Sequence, residues 1–245
     1  MSDVTPTVVL VHGAFADASS WNGVIERLRA KGVPVTAPAN PLRGIAHDSA
    51  YTAAVFEQIE GPVLAVGHSY GGAVITNAAT DAKNVVGLVF VAAFAPDEGE
   101  TLGAAEANSK DSVLNSALVP RRYPTADGGS ATEFYIDPAK ARDAFAGDLS
   151  NEQAALIAAT QRPVAEAAFS EPNGPPAWKN LPSWTVVATG DKAAGTDVVR
   201  SMAERAGATI TEVEGSHVIM VSQPQAVTEV ILEAMTAVAA VPVVA

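Results

Sequence analysis

Four short runs rich in β-branched residues, Val8–Val11, Val33–Thr36, Val63–Val66 and Val85–Val91, are apolar where a half-exposed strand would alternate. Runs of this kind belong to strands covered on both faces, and so to a parallel sheet between helix layers. The segments between them carry the other period. Trp21, Val24, Ile25 and Leu28 fall on one helical face behind Ser19 or Ser20 as N-cap, and Tyr51, Val55 and Ile59 follow Asp48 or Ser49. A third helix begins at the glycines after Ser69. The alternation returns late in the chain, with strands at Trp184–Ala188 and Thr209–Val213 and helices at Val198–Arg205 and Ala226–Val238. Gly207 stands where a helix C-terminal stop belongs. The expected architecture is α/β, with about six parallel strands and helices on both faces.

Between Pro96 and Trp178 the texture changes and no strong strand run occurs. Helical spacing is confined to Leu102–Leu118, Ala139–Phe145 and Glu152–Thr160, and turn signals cluster at Pro120–Pro124, Asp127–Gly129 and Glu171–Pro176. A chain of 245 residues accommodates one α/β domain carrying an insertion. The expected division is a core of residues 1–95 and 180–245 with a helical insertion at 96–179.

Hydrophobic residues make up 48% of the chain and charged ones 17%, a balance that favours a large buried core over disorder. The formal charge of −12, from 15 basic and 27 acidic residues, repels phosphate backbones and anionic lipid, and no basic cluster offsets it. Nucleic acid and membrane surface are thus poor partners. A small molecule is the expected one, with a homodimer left open. With no cysteine, thiolate catalysis and Cys-ligated zinc are excluded. Met1–Pro6 is polar and carries Asp3 where a signal peptide would be basic, and no apolar run approaches the roughly 18 residues of a membrane span. The apolar tail Ala237–Ala245 is short and contains Pro242. A cytoplasmic location is expected.

Gly67-His68-Ser69-Tyr70-Gly71 has the pattern G-x-S-x-G and directly follows the run Val63–Val66. A strand that turns at once into a helix holds the middle residue in a strained conformation and pushes its hydroxyl over the sheet edge. Side chains two positions either side would collide, which explains glycine at 67 and 71. Ser69 is therefore a candidate nucleophile, and it needs a base. Of four histidines, His68 adjoins the serine and is expected to point elsewhere, His12 better suits bracing a loop, and His47 has no partner pattern. His217 remains, between the last strand and the last helix, where a chain order of serine, acid, histidine places the base.

The acid that orients the imidazole should follow the preceding strand, and Asp191 in Thr189-Gly190-Asp191-Lys192 does so. Asp197 competes but reads better as the N-cap of the helix at Val198, and Glu214 lies only three residues from His217. Acyl transfer also needs two donors for the developing oxyanion. The backbone N–H groups of Tyr70 and of Ala14, in the His12-Gly13-Ala14 loop, are the candidates. Phe15, Tyr70 and Phe94 are candidate substrate contacts, with Phe134, Tyr135 or Trp178 from the insertion. No metal or organic cofactor is required.

Leu10-Val11-His12-Gly13-Ala14, Gly67-His68-Ser69-Tyr70-Gly71-Gly72 and Phe90-Val91-Ala92-Ala93-Phe94-Ala95-Pro96-Asp97 resemble segments of α/β-hydrolases related to plant methylesterases and hydroxynitrile lyases. The resemblance implies a compact six-stranded sheet with residues 96–179 capping the site, Asp191 and His217 as acid and base, and Phe94 against the acyl pocket. It fades in the insertion, where Thr160-Gln161-Arg162-Pro163 is similar to bacterial hydrolases of unassigned substrate. The lyases carry threonine in the oxyanion loop and lysine directly after the base; here those positions are Gly13 and Val218. The expected activity is hydrolysis of a small, largely apolar carboxylic ester through an acyl-enzyme. Lactone, amide or C–C cleavage, cofactor-free lyase or oxygenase chemistry, and a receptor with a vestigial triad are the alternatives.

Overall fold

The computed structural model describes residues 5–239. The polar start Met1–Pro6 and the tail Ala237–Ala245 fall partly outside that range. Nine strands follow in chain order: β1 Thr7–Val11, β2 Val35–Thr36, β3 Val63–His68, β4 Val85–Val91, β5 Leu118–Pro124, β6 Ser130–Ile136, β7 Val164–Ala165, β8 Ser183–Ala188 and β9 Thr209–Val213. Six form one sheet in the order β2-β1-β3-β4-β8-β9, with every neighbouring pair parallel. These six are the runs expected from sequence. β3 and β8 are buried at every residue and β4 at all but Val86, as a sheet covered on both faces requires.

The helices are α1 Asn22–Ala30, α2 Ile45–Glu57, α3 Tyr70–Ala78, α4 Leu102–Ala107, α5 Ala141–Phe145, α6 Asn151–Thr160, α7 Ala167–Ser170, α8 Thr196–Arg205, α9 Ile219–Ser222 and α10 Pro224–Ala239. α1 packs on α10 and α2 on α3, giving the sheet helical cover on both faces. Trp21, Phe56 and Phe90 are fully enclosed between the layers. Truncating such a side chain to alanine costs about 3–5 kcal/mol.

Three expected helix caps differ. The first turn is the 3₁₀ segment Ala18–Trp21, and Asp17, rather than Ser19 or Ser20, accepts its Ser19 N–H at 2.7 Å. α2 starts three residues before Asp48, on Gly44 at φ +143°, which frees Asp48 for a tertiary role. α8 starts on Gly195 at φ +88°, so Asp197 is not its cap. In the last two cases glycine supplies a backbone shape that a side-chain cap could not.

The insertion between β4 and β8 is not purely helical. It holds α4 to α7 and a second sheet, β5-β6-β7, antiparallel throughout. Pro120 and Pro124, read from sequence as turn signals, lie within β5, the edge strand of that sheet. An edge strand tolerates proline because one row of its N–H groups has no ladder partner. The Asp127–Gly129 signal does mark the hairpin turn, with Gly128 at φ +83°.

Candidate active site

The carboxyl ends of β1, β3, β8 and β9 open at one edge of the sheet, where ligands bind in open α/β folds. β3 ends at His68 and α3 begins at Tyr70, leaving Ser69 alone in the turn at φ 53°, ψ −123°. A non-glycine residue there stores about 1–3 kcal/mol of strain. The surroundings hold it: Ser69 N donates to Val91 O at 3.3 Å, and Ser69 O accepts from Gly72 N at 3.0 Å and Phe94 N at 3.3 Å. A Cβ on Gly67 would lie 2.5 Å from Gly71 O, and one on Gly71 would strike Val11 O. One on Gly13 would lie 2.7 Å from Ser69 Cβ, so the β1 loop passes directly beside the serine.

His217, in the loop after β9, donates from Nδ1 to Asp191 Oδ2 at 2.8 Å, and both side chains are 1% exposed. Asp191 Oδ1 accepts from Ala193 N at 2.8 Å and Ala194 N at 3.0 Å, which fixes the carboxylate. Gly190 N donates to Gly215 O at 2.9 Å and ties the acid loop to the histidine loop. Asp197 instead accepts from Ser109 Oγ at 2.5 Å and Lys110 N at 2.8 Å, joining α8 to the insertion. Glu214 makes no contact with His217 among the described hydrogen bonds. Ser69 Oγ makes none either, so the serine–histidine link is open in this structure; such links often tighten only when substrate binds.

His68 does not point away from the site. Its Nε2–H donates to the His217 carbonyl at 3.0 Å, and the two rings lie 4.7 Å apart. Nδ1 is then a bare acceptor, buried and without a partner. Burial and the neighbouring His217 push the His68 pKa well below its ordinary value, so the ring is neutral. His12 does brace its loop: Nε2 accepts Asn40 N at 3.0 Å while Asn40 Nδ2 donates to His12 O at 3.0 Å. Burial, helped by nearby Arg162, lowers the His12 pKa to about 4. Arg162, in the insertion, donates to Asn40 O at 3.0 Å. His47 lies in α2 with Nδ1 3.1 Å from Asp48 Oδ1.

Ala14 and Tyr70 are both buried, and the backbone N–H of neither donates to a loop or side-chain acceptor among the described residues. Tyr70 points its hydroxyl away into the fold, donating to buried Asp48 Oδ2 at 2.8 Å. Burial and that carboxylate raise the Tyr70 pKa well above its ordinary value. The same carboxylate accepts Arg43 N, and Arg43 Nη1 meets Glu133 of β6 at 3.0 Å. Of the aromatics expected near substrate, Phe15 lines an open cleft. Phe94 is buried, with its main chain bonded to Ser69, and Trp178 donates its indole N–H to Pro96 O at 2.9 Å. Tyr135 borders a separate cleft with Arg121, and Phe134 packs edge-on to Phe169.

Two insertion residues lie at the site that the sequence did not point to as site residues. The Phe145 ring lies 5.0 Å from the His217 ring and 6.1 Å, edge-on, from Phe15. Asp148 accepts a short hydrogen bond from Ser216 Oγ, one residue before His217. That hydroxyl and its neighbours hold the Asp148 pKa below the usual carboxylate range against the opposing effect of burial. Phe145 is the aromatic of the helical stretch Ala139–Phe145, so the signal that a cap helix carries an aromatic was present. Nothing local announces Asp148.

Residues 8–230 match the model of the α/β-hydrolase family, and the chain belongs to that family. No curated protein matches the chain. Among solved structures the chain is similar to polyneuridine aldehyde esterase, at 22% identity and a TM-score of 0.79, covering 94% of this chain and 99% of the other. It is also similar to a pyrethroid hydrolase from Sphingobium faniae JZ-2, at 20% identity and a TM-score of 0.77 over 96% and 98% of the chains. A tomato methylketone synthase I variant complexed with β-ketoheptanoate matches at 21% identity and a TM-score of 0.74 over 96% and 99%. At such identities the likeness is one of fold. Among the described residues no helix is long and apolar enough to cross a membrane.

Proposed function

We propose that the protein is a serine hydrolase cleaving a carboxylic ester through an acyl-enzyme. The observation that carries this reading is the buried Asp191–His217 hydrogen bond, with the His217 ring 4.7 Å from that of His68, the residue before a strained Ser69 at a strand-to-helix turn. Ser69 Oγ attacks the carbonyl carbon as His217 Nε2 takes the hydroxyl proton, and Asp191 holds the ring in the tautomer that leaves Nε2 free. The Ala14 and Tyr70 N–H groups receive the oxyanion. His217 returns the proton to the leaving alcohol, water then attacks the acyl carbon by the same base catalysis, and the acid departs.

Val218, directly after the base, is buried and apolar, so no cation there receives a departing cyanide. That favours hydrolysis over lyase chemistry. The test is rapid-mixing kinetics with activated aryl esters of increasing acyl length. A burst of phenol equal to the enzyme concentration is expected in the wild type and none in Ser69→Ala. Absence of turnover on every ester would overturn the proposal.

A further inference from the structure

Thr160-Gln161-Arg162-Pro163 ends α6 and carries the chain to β7, and it touches the loops that follow β1 and β2. Gln161 fixes the start of this segment: Oε1 accepts Ile136 N of β6 at 2.7 Å, and Nε2 donates to Ile136 O at 2.9 Å. Beyond its end, Ala165 N of β7 donates to Leu42 O at 2.9 Å. Between these anchors Arg162 Nη1 donates to Asn40 O at 3.0 Å and faces His12 Nε2 at 3.4 Å. Asn40 grips His12 twice, its main-chain N–H on the ring Nε2 and its side-chain amide on His12 O, both at 3.0 Å.

The buried His12 Nε2 is thus met by a main-chain N–H and a guanidinium, both donors and neither an acceptor. That nitrogen is bare, so the ring proton is on Nδ1, which donates to Gly13 O at 2.9 Å. Gly13 O and the Ala14 N–H are the two ends of one planar trans peptide and point in opposite directions. Holding the oxygen on the imidazole sets the direction of the Ala14 N–H, and it also polarises that N–H into a better donor. The peptide passes beside the nucleophile, since a Cβ on Gly13 would lie 2.7 Å from Ser69 Cβ and 2.8 Å from His68 O. Directly after Ala14, Phe15 is held at φ 61°, a conformation that a bulky side chain adopts only under constraint. We infer that Arg162 is a positioning residue for ester cleavage: it holds His12 in the tautomer that aims the Ala14 N–H at the developing oxyanion. The insertion then helps to assemble the chemical site as well as to cover it. This rests on the serine-esterase reading above and deepens it.

The test separates an effect on the oxyanion from one on stability. Arg162→Met keeps the stem of the side chain and removes its donors. On an aryl butanoate it should lower kcat and kcat/KM together, by about 10- to 100-fold, because the contact it weakens is made with the transition state. Propyl trifluoromethyl ketone, which adds to the serine as an oxyanion, should lose affinity by a similar factor. Two His12 variants test the relay. His12→Asn sets an amide donor near the place of Nδ1 and should keep more of kcat than His12→Gln, whose amide reaches the place of Nε2. This pair decides the matter even if Arg162→Met loses its fold. An Arg162→Met protein with a lower urea midpoint, but with kcat and ketone affinity within about 2-fold of the wild type, overturns the inference. So does a His12→Gln variant as active as His12→Asn or more so. In both cases the esterase reading stands. If the wild type neither turns over an ester nor reacts with a fluorophosphonate, the esterase reading itself has failed and the inference falls with it.

Discussion

The sheet and the insertion solve different problems and are built by different means. The central strands β3 and β8 are enclosed along their whole length, and the groups proposed for the chemistry sit at the carboxyl ends of the sheet strands. Those groups are fixed by main-chain bonds: Ser69 to Val91 and Phe94, Asp191 to Ala193 and Ala194. The insertion instead reaches the site through separate side chains. Phe145 touches His217, Asp148 holds Ser216, Arg162 holds Asn40, and Glu133 holds Arg43. A rigid sheet can keep a strained serine in place. A surface built from a few side-chain contacts can be changed without disturbing it.

Substitutions on the two sides should therefore differ in size. The largest effect is expected on the sheet side, where Ser69→Ala should lower kcat by about 10⁴- to 10⁶-fold with the fold intact by circular dichroism. Asp191→Asn keeps the shape but favours the wrong imidazole tautomer, and a loss of about 10⁴-fold in kcat is expected. Asp197→Asn, on a carboxylate bonded to the insertion, should leave kcat within about 3-fold. Similar losses for the two aspartates would break the distinction between them.

Acid stability sharpens the same contrast, because the buried neutral histidines belong to the sheet side. The unfolded chain protonates His12 near the ordinary histidine value of about 6.5, whereas the folded chain resists until about 4. Unfolding therefore binds a proton in that window, and stability falls as pH drops from about 6.5 towards about 4. The loss from His12 is about 3 kcal/mol, and His68 adds to it in the same direction. Urea midpoints measured at steps between these pH values should decrease, and His12→Gln should flatten part of the slope. A midpoint constant across the window would contradict burial of these rings. The smallest effect is expected where the insertion grips the base loop. Asp148→Asn replaces a charged acceptor by a neutral one and should cost about 1 kcal/mol in urea unfolding, with a modest fall in kcat.

The same contrast governs what could be read from the sequence. Buried parallel strands write themselves as continuous apolar runs, and the elbow as two glycines around a serine. Asp191 and His217 were read from the order of elements together with elimination of the other histidines, with Asp197 left as a competing acid. The insertion had no such periodicity. β5 carries Pro120, two arginines and Pro124 on an exposed edge, so its residues look like a turn, and the antiparallel sheet was invisible. Asp48 looked like a helix cap because its type suits one, yet its side chain meets Tyr70, Arg43 and His47. Asp148 meets Ser216 across 68 residues, a contact that no local pattern records. His68 misled for a related reason: its neighbour in sequence is the serine, but its hydrogen bond is to His217.

The central claim is that Ser69 is a nucleophile activated by His217, and reaction with a fluorophosphonate followed by intact-protein and peptide mass spectrometry tests it most directly. The account predicts one adduct per chain, mapped to Ser69, lost in Ser69→Ala and formed much more slowly in His217→Ala. No adduct on the wild type, or an adduct at another residue that survives Ser69→Ala, would contradict it.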